Sequence, residues 1–90
     1  MKLIGELTVT EVAGEYIAVP VGDTAEKFRG IVRLNATALD IWQGLEQGKS
    51  EDEIAQMLVD TYEGVNFAQA KENAHAMIKK LTEGGILLRE

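Results

Sequence analysis

The sequence predicts an α+β domain in which a three-stranded antiparallel sheet is followed by three helices, similar to a winged helix-turn-helix with its strands moved to the front. The first third of the chain alternates apolar and polar residues with a period of two, as strands do. The remainder repeats its apolar residues at spacings of three and four, as helices do. Strands and helices segregated in this order indicate helices packed on one face of the sheet.

Three strands are expected, over Leu7–Val12, Tyr16–Pro20 and Phe28–Leu34. The first two are rich in β-branched residues and are joined by a short segment in which Gly14 supplies the positive φ of a hairpin turn. Pro20 cannot donate a ladder hydrogen bond and therefore belongs at a strand end or an exposed edge. Residues 21–26 are expected to be a loop before the third strand.

Three helices are expected, over Ala36–Gln47, Glu51–Tyr62 and Phe67–Glu83. Asn35, Ser50 and Asn66 stand where N-caps are needed, and Ser50 begins a capping box. Glycines follow each helix at the positions that end helices. The expected buried faces comprise Ala38, Ile41, Trp42, Leu45, Ile54, Ala55, Leu58, Tyr62, Ala70, Ala74, Met77, Ile78 and Leu81. After the last helix, residues 86–88 form a short closing strand or a tail.

Composition limits the classes of function. The 90 residues include no cysteine, so thiolate metal sites, disulfides and thiol nucleophiles are excluded. No apolar run approaches the ~20 residues that cross a bilayer, and we expect a cytoplasmic protein with no membrane partner. The net charge of −6 opposes phosphate contacts, which dominate nucleic-acid binding. Without a linker or repeat, residues 1–90 are expected to form a single domain.

The sequence contains no convincing catalytic, metal or cofactor site. His75 is the one histidine and is expected on a solvated helix surface, without the orienting partner of a general base. The acids at 51–53 are explained by helix capping and the helix dipole, and Ser50 by its role as a cap. Trp42 lies at helical spacing with core residues, so packing explains it better than ligand stacking. We therefore predict a protein that is not an enzyme.

One segment departs from the acidic average. Lys27, Arg29 and Arg33 occur within seven residues that contain no acid. Charges on an outer strand protect it from aggregation. The same charges could also steer an acidic partner to an open strand. Both interpretations stand, and they are compatible.

The motifs of the helical half resemble the coenzyme PQQ synthesis protein D (PqqD-like) family. Leu34-Asn35-Ala36-Thr37-Ala38 followed by Ile41-Trp42 is similar to the family's strand-to-helix junction. The segment 48–55 resembles its Gly-x-Ser/Thr-x-x-Glu-Ile passage, and 81–87 resembles its Leu-x-x-x-Gly-Leu-Leu/Ile ending. The resemblance covers nearly the whole chain, loosely before Gly30 and well after it.

This resemblance implies a non-catalytic peptide chaperone, the peptide-recognition element of ribosomally made, modified peptides. The leader of a precursor peptide would add as a strand beside residues 30–34, against a helical wall within residues 71–78, for presentation to a radical S-adenosylmethionine enzyme. The peptide-binding residues implied are Arg29, Gly30, Ile31, Val32, Arg33, Leu34, Lys71, Ala74, His75 and Ile78. Core packing is the competing interpretation for Ala74 and Ile78.

Two further expectations remain open. Residues 21–28 differ from the shorter segment of members that serve quinone-cofactor assembly, so the precursor could belong to another pathway. The alternative function is a winged-helix transcriptional regulator that binds nucleic acid. Such a protein needs clustered basic residues on its recognition helix. The second predicted helix has none, and the third has only Lys71, Lys79 and Lys80 against Glu72 and Glu83.

Overall fold

The computed structural model describes residues 2–27 (Lys27 by its backbone alone) and 30–88, which contain both strands and helices. In chain order they form β1 (Lys2–Leu3), β2 (Leu7–Val12), β3 (Glu15–Pro20), α1 (Asp23–Lys27), β4 (Val32–Leu34), α2 (Ala36–Glu46), α3 (Glu51–Thr61), α4 (Phe67–Glu83) and β5 (Leu87–Leu88). The strands of the main sheet precede the three long helices. This arrangement confirms the predicted α+β class.

The main sheet is antiparallel and has the strand order β2-β3-β4. β2 and β3 form a hairpin whose two turn residues, Ala13 and Gly14, both have positive φ, at 52° and 83°. Two residues with positive φ give the turn the twist that matches paired strands. The predicted hairpin and the predicted role of Gly14 are therefore confirmed.

The segment before β4 differs from the prediction. Residues expected to be a loop form α1, which begins after Gly22 at a φ of 60° and carries Asp23 in its first turn. Thr24 connects this helix to the start of β2, because its Oγ1 accepts a hydrogen bond from the N–H of Glu6, the residue before that strand, at 3.0 Å. A five-residue helix is too short to show an apolar period, so the sequence gives no helical signal there.

The third predicted strand was too long. β4 contains three residues, Val32–Leu34, and Gly30 and Ile31 precede it outside the ladder. Phe28 and Arg29 lie outside the described residues. Gly30 costs a strand conformational entropy and offers no side chain to pack, which fits its position ahead of the ladder.

The three long helices follow the predicted capping pattern. The Asn35 side chain accepts from the Ala38 N–H at 2.8 Å, and capping boxes are complete at Ser50 with Glu53 and at Asn66 with Gln69. α2 ends at Glu46 and α3 at Thr61, each one residue earlier than predicted, because Gln47 and Tyr62 serve as the C-caps. These caps fix where each helix begins and therefore which face it turns to the sheet.

The predicted closing strand is present as β5, which pairs with β1. β1 has only two residues and was not predicted. The core lies between the inner face of the main sheet and the helices, and its fully buried side chains include Trp42, Ile54, Leu58 and Ile78. The indole Nε1 of Trp42 is buried without a hydrogen-bond partner among the described atoms.

Candidate functional site

A groove runs between the outer strand β4 and helix α4, with α2 at its base. Its volume is about 450 Å³. We call it the β4–α4 groove, and it is lined by Val32, Arg33, Leu34, Asn35, Thr37, Ala38, Ile41, Asn73, Ala76, Met77, Lys80 and Leu81. A groove between an edge strand and a helix can hold an extended chain.

The backbone of β4 has one paired edge. Leu34, Arg33 and Val32 are opposite Tyr16, Ile17 and Ala18 of β3. Within the residues that the structure describes, no strand pairs with the other edge. An unpaired edge presents a row of N–H and C=O groups to a further strand. The first requirement for strand addition is therefore met on the side that faces the groove.

The base of the groove is apolar. Ile41 and Leu81 are buried and close it from below. Val32, Ala38 and Met77 are half-buried, so part of each side chain remains available to a ligand. Burying apolar surface on binding is favourable in proportion to its area. The groove can therefore accept apolar side chains from above.

The charged residues that line the groove are basic. Arg33 lies on the strand side and Lys80 on the helix side, and the lining set contains no acid. Neither of the two ion pairs between described side chains involves Arg33 or Lys80. In a chain of net charge −6 this is a local exception. A ligand with carboxylates meets a favourable field here.

Four of the α4 residues predicted to bind peptide lie elsewhere on that helix. Ala74 and Ile78 are both 0% exposed and belong to the core, which was the competing interpretation. Lys71 forms an ion pair with Asp52 of α3 at 2.7 Å, and His75 contacts Glu51 at 2.9 Å. The hydrogen bond and charge of Asp52 raise the pKa of Lys71. The groove is lined instead by the neighbouring stripe of α4.

Sequence reasoning missed that stripe, which comprises Asn73, Ala76, Met77, Lys80 and Leu81. Their spacings of three and four place them on one helix face. Met77 and Leu81 were assigned to the core, and the polar members carried no separate signal. Helix α4 packs on the core with one stripe of its surface and borders the groove with the adjoining stripe. The spacing of apolar residues in the sequence identifies only the core-facing stripe. From the strand, Val32, Arg33 and Leu34 line the groove, and the exposed Gly30 and Ile31 precede it; that these residues bind a peptide stays a prediction.

Tyr62, at the end of α3, and Asp40, on α2, form a hydrogen-bonded pair. The Tyr62 hydroxyl donates a short hydrogen bond to the Asp40 carboxylate on α2. This hydrogen bond, and secondarily burial, raise the pKa of Tyr62 above its usual 10.0, while Thr37 partly offsets the rise. Thr37, which lines the groove, therefore lies close to this pair.

This pair predicts a pH dependence of stability. A tyrosine whose pKa is raised on folding contributes stability that is fully present below its unfolded pKa and is lost as the pH rises from there through its higher folded pKa. We expect the free energy of unfolding to fall more steeply above about pH 10 in the wild type than in Tyr62→Phe. Urea denaturation at neutral and alkaline pH measures both proteins. Equal pH dependence would contradict the role of this hydrogen bond.

Comparisons with known proteins identify the family of this chain. Residues 15–87 match the family model of Coenzyme PQQ synthesis protein D (PqqD). The chain belongs to the PqqD family. This confirms the resemblance drawn from the motifs of the helical half. No curated protein matches the PqqD-family chain significantly.

Two solved structures share the fold of this PqqD-family chain. One, described as "Lasso peptide synthetase B1 complexed with the leader peptide", is 27% identical, has a TM-score of 0.74, and the match covers 98% of this chain and 96% of that one. The other, described as "TbiB1 in Complex with the TbiA(beta) Leader Peptide", is 19% identical, has a TM-score of 0.76, and the match covers 100% and 98% of the two chains. Both similarities extend over essentially the whole chain.

Residues 2–27 and 30–88 contain no group of three or more histidines or carboxylates arranged to hold a metal ion. In the same residues, every helix is too short or too polar to span a bilayer. The β4–α4 groove is the feature that combines an unpaired backbone edge, apolar surface and local basic charge.

Proposed function

We propose that this PqqD-family protein is a non-catalytic, cytoplasmic peptide chaperone that binds the leader of a precursor peptide in the β4–α4 groove. The observation that carries the proposal is the unpaired edge of β4 beside an apolar groove. It is supported by family membership and by the similarity to a lasso peptide synthetase B1 whose structure contains a leader peptide.

Strand addition alone would bind weakly. Three β4 residues offer roughly two or three backbone hydrogen bonds, each contributing ~0.5–1.5 kcal/mol. Micromolar affinity requires about 8 kcal/mol after ordering costs. Apolar side chains entering the groove contribute about 1.5–3 kcal/mol each when fully buried. We therefore assign affinity mainly to side chains that contact Ala38, Met77 and Val32, and alignment to the backbone ladder.

The peptide-binding residues that we propose differ in part from those expected from the sequence. Val32, Arg33 and Leu34 remain, with Gly30 and the exposed Ile31 leading into the strand. The α4 contribution moves to the lining residues Asn73, Ala76, Met77 and Lys80. Lys71 and His75 are assigned to contacts with α3, and Ala74 and Ile78 to the core. Arg29 lies outside the described residues.

The chemical modification of the peptide is assigned to a partner. The resemblance to the PqqD-like family implies a radical S-adenosylmethionine enzyme, which carries its own iron–sulfur chemistry. We propose that this protein supplies the bound leader and that the enzyme supplies the reaction. Residues 23–27, which precede β4, form α1 rather than a short connection, and we propose a precursor other than that of the quinone cofactor.

The alternative of a nucleic-acid-binding regulator gains no support. Helix α3 belongs to the helical part that would approach DNA in a winged helix. It carries four acids and neither lysine nor arginine. Lys71 of α4 is already paired with Asp52. Helices that read a major groove present several free basic residues together.

The test is a titration of isotope-labelled protein with synthetic peptides that tile whatever short open reading frames lie beside its gene. We expect one leader segment to shift the amide signals of residues 30–34 and of the groove side of α4. A scrambled peptide of identical composition is the control. Shifts confined to α3, or equal shifts with the scrambled peptide, would contradict the proposal. Purified enzyme that modifies the precursor equally well without this protein would contradict its role as a chaperone.

A further inference from the structure

We infer that the β4–α4 groove selects a strand with an acidic residue between two apolar residues, and that Arg33 makes the selection. The inference rests on the proposed function and adds the class of peptide to it. It follows from the pleat of β4, the register of the sheet and the charges that line the groove.

The side chains of β4 alternate between the two faces of the sheet. Leu34 is 4% exposed and Val32 is half-buried, and both lie on the inner face towards the helices. Arg33 lies between them and is exposed; the alternation turns its side chain to the outer face, at the rim of the groove that it helps to line. Successive residues of a strand point to opposite faces, so this pattern is a property of the backbone. A peptide strand added to β4 continues the same pleat.

The added strand therefore has a fixed pattern of environments. Peptide residues opposite Val32 and Leu34 turn inwards, towards the apolar base formed by Ala38 and Met77. The residue between them turns outwards and becomes the cross-strand neighbour of Arg33. Directly opposite side chains on one face of a sheet lie about 4.5–5.5 Å apart at Cβ and interact. The two inward positions favour apolar side chains.

The outward position favours a carboxylate. The other cross-strand neighbour of Arg33 is Ile17, which is apolar and cannot accept a hydrogen bond from the guanidinium. Neither ion pair between described side chains includes Arg33. Opposite charges placed directly across two strands stabilise the pairing, and like charges destabilise it. An Asp or Glu at the central peptide position therefore completes the row Thr10–Ile17–Arg33.

The same argument disfavours pairing between β4 and the β4 strand of a second copy of this chain. The sequence Val32-Arg33-Leu34 has the apolar–charged–apolar pattern that the groove accepts, but with the opposite charge. If a second copy paired with this edge antiparallel about its centre, Arg33 would be opposite Arg33 of that copy. Like charges in that position oppose the pairing. Arg33 thus distinguishes an acidic peptide from a second copy of this chain.

The test is a selection from a displayed library of random-sequence peptides long enough to span β4, against three purified proteins. The wild type is compared with Arg33→Glu, which reverses the selecting charge. Lys79→Glu is the matched control, because Lys79 is exposed on α4 and does not line the groove. Selected peptides are resynthesised with Glu, Thr or Lys at the central position, and their affinities are measured by titration calorimetry.

We expect the wild type and Lys79→Glu to enrich peptides with Asp or Glu between apolar residues, and Arg33→Glu to enrich Lys or Arg at that position. Of two peptides that differ only at the central position, the one with Glu should bind the wild type about tenfold more tightly than the one with Lys. Peptides that shift the β4 amides but show no preference at the centre would overturn the selection by Arg33 and leave the proposed function intact. Selected peptides that bind away from β4, or no enrichment at all, would overturn both.

Discussion

Peptide binding is expected to be abolished when proline replaces the β4 residue, Val32 or Arg33, whose N–H points away from β3. In an antiparallel ladder, successive residues direct their N–H groups alternately to the two neighbouring strands. Of Val32 and Arg33, one therefore donates to β3 and the other faces the groove. Val32→Pro and Arg33→Pro should differ sharply: one loses sheet stability, and the other stays folded without measurable binding.

Threonine at the same positions is the control, because it keeps the N–H and is well tolerated in strands. Val32→Thr should bind the leader segment with an affinity near that of the wild type. The segment to use is the one that shifts the β4 amide signals of the wild type. Circular dichroism and urea denaturation report the fold, and titration calorimetry reports the affinity. If both proline variants fold normally and both bind, the peptide does not use the backbone of β4.

Filling the groove is the second change expected to have a large effect. Ala76 is an exposed alanine of α4 that lines the groove, so Ala76→Trp introduces a large ring without disturbing the core. The ring occupies the space that apolar peptide side chains need. We expect the affinity for the leader segment to fall about a hundredfold, or ~2.7 kcal/mol, as for losing one or two buried anchors.

Ala68→Trp is the matched control. Ala68 is also exposed on α4 but does not line the groove. Since the two variants have the same composition and the same helix, any difference in affinity reports the location of the ring. Equal affinities in calorimetric titrations would show that the peptide does not occupy the groove. A loss of affinity in both variants would indicate instead that α4 as a whole is perturbed.

Most of the fold was predictable because its signals are local. Asn35, Ser50 and Asn66 each satisfy backbone N–H groups at a helix start, and such caps can be recognised in sequence. The hairpin was predictable from Gly14 for the same reason. α1 and β1 were missed because five and two residues carry no measurable period. Their positions depend on tertiary contacts, such as the hydrogen bond from Glu6 to Thr24.

The strand residues that line the candidate groove could be identified from the sequence, and those on the helix only roughly. Basic residues without acids marked the strand, and family resemblance named both elements. The sequence did not reveal which face of α4 borders the groove, because the groove-facing stripe adjoins the core-facing stripe. Met77 belongs to both, being packed against the core and exposed to the groove. Only the packing of α3 against α4, through pairs such as Lys71 with Asp52, fixes which flank stays open.

Trp42 provides a built-in fluorescence reporter of folding for every variant that adds no tryptophan. It is the single tryptophan of the natural sequence, is fully buried, and does not line the groove. Its fluorescence should therefore be blue-shifted in the folded state and shift to the red on unfolding, yet respond little when a peptide docks. The emission maximum then separates variants that fail to fold from those that fold but fail to bind; the tryptophan variants at 68 and 76 add a second fluorophore and require circular dichroism instead.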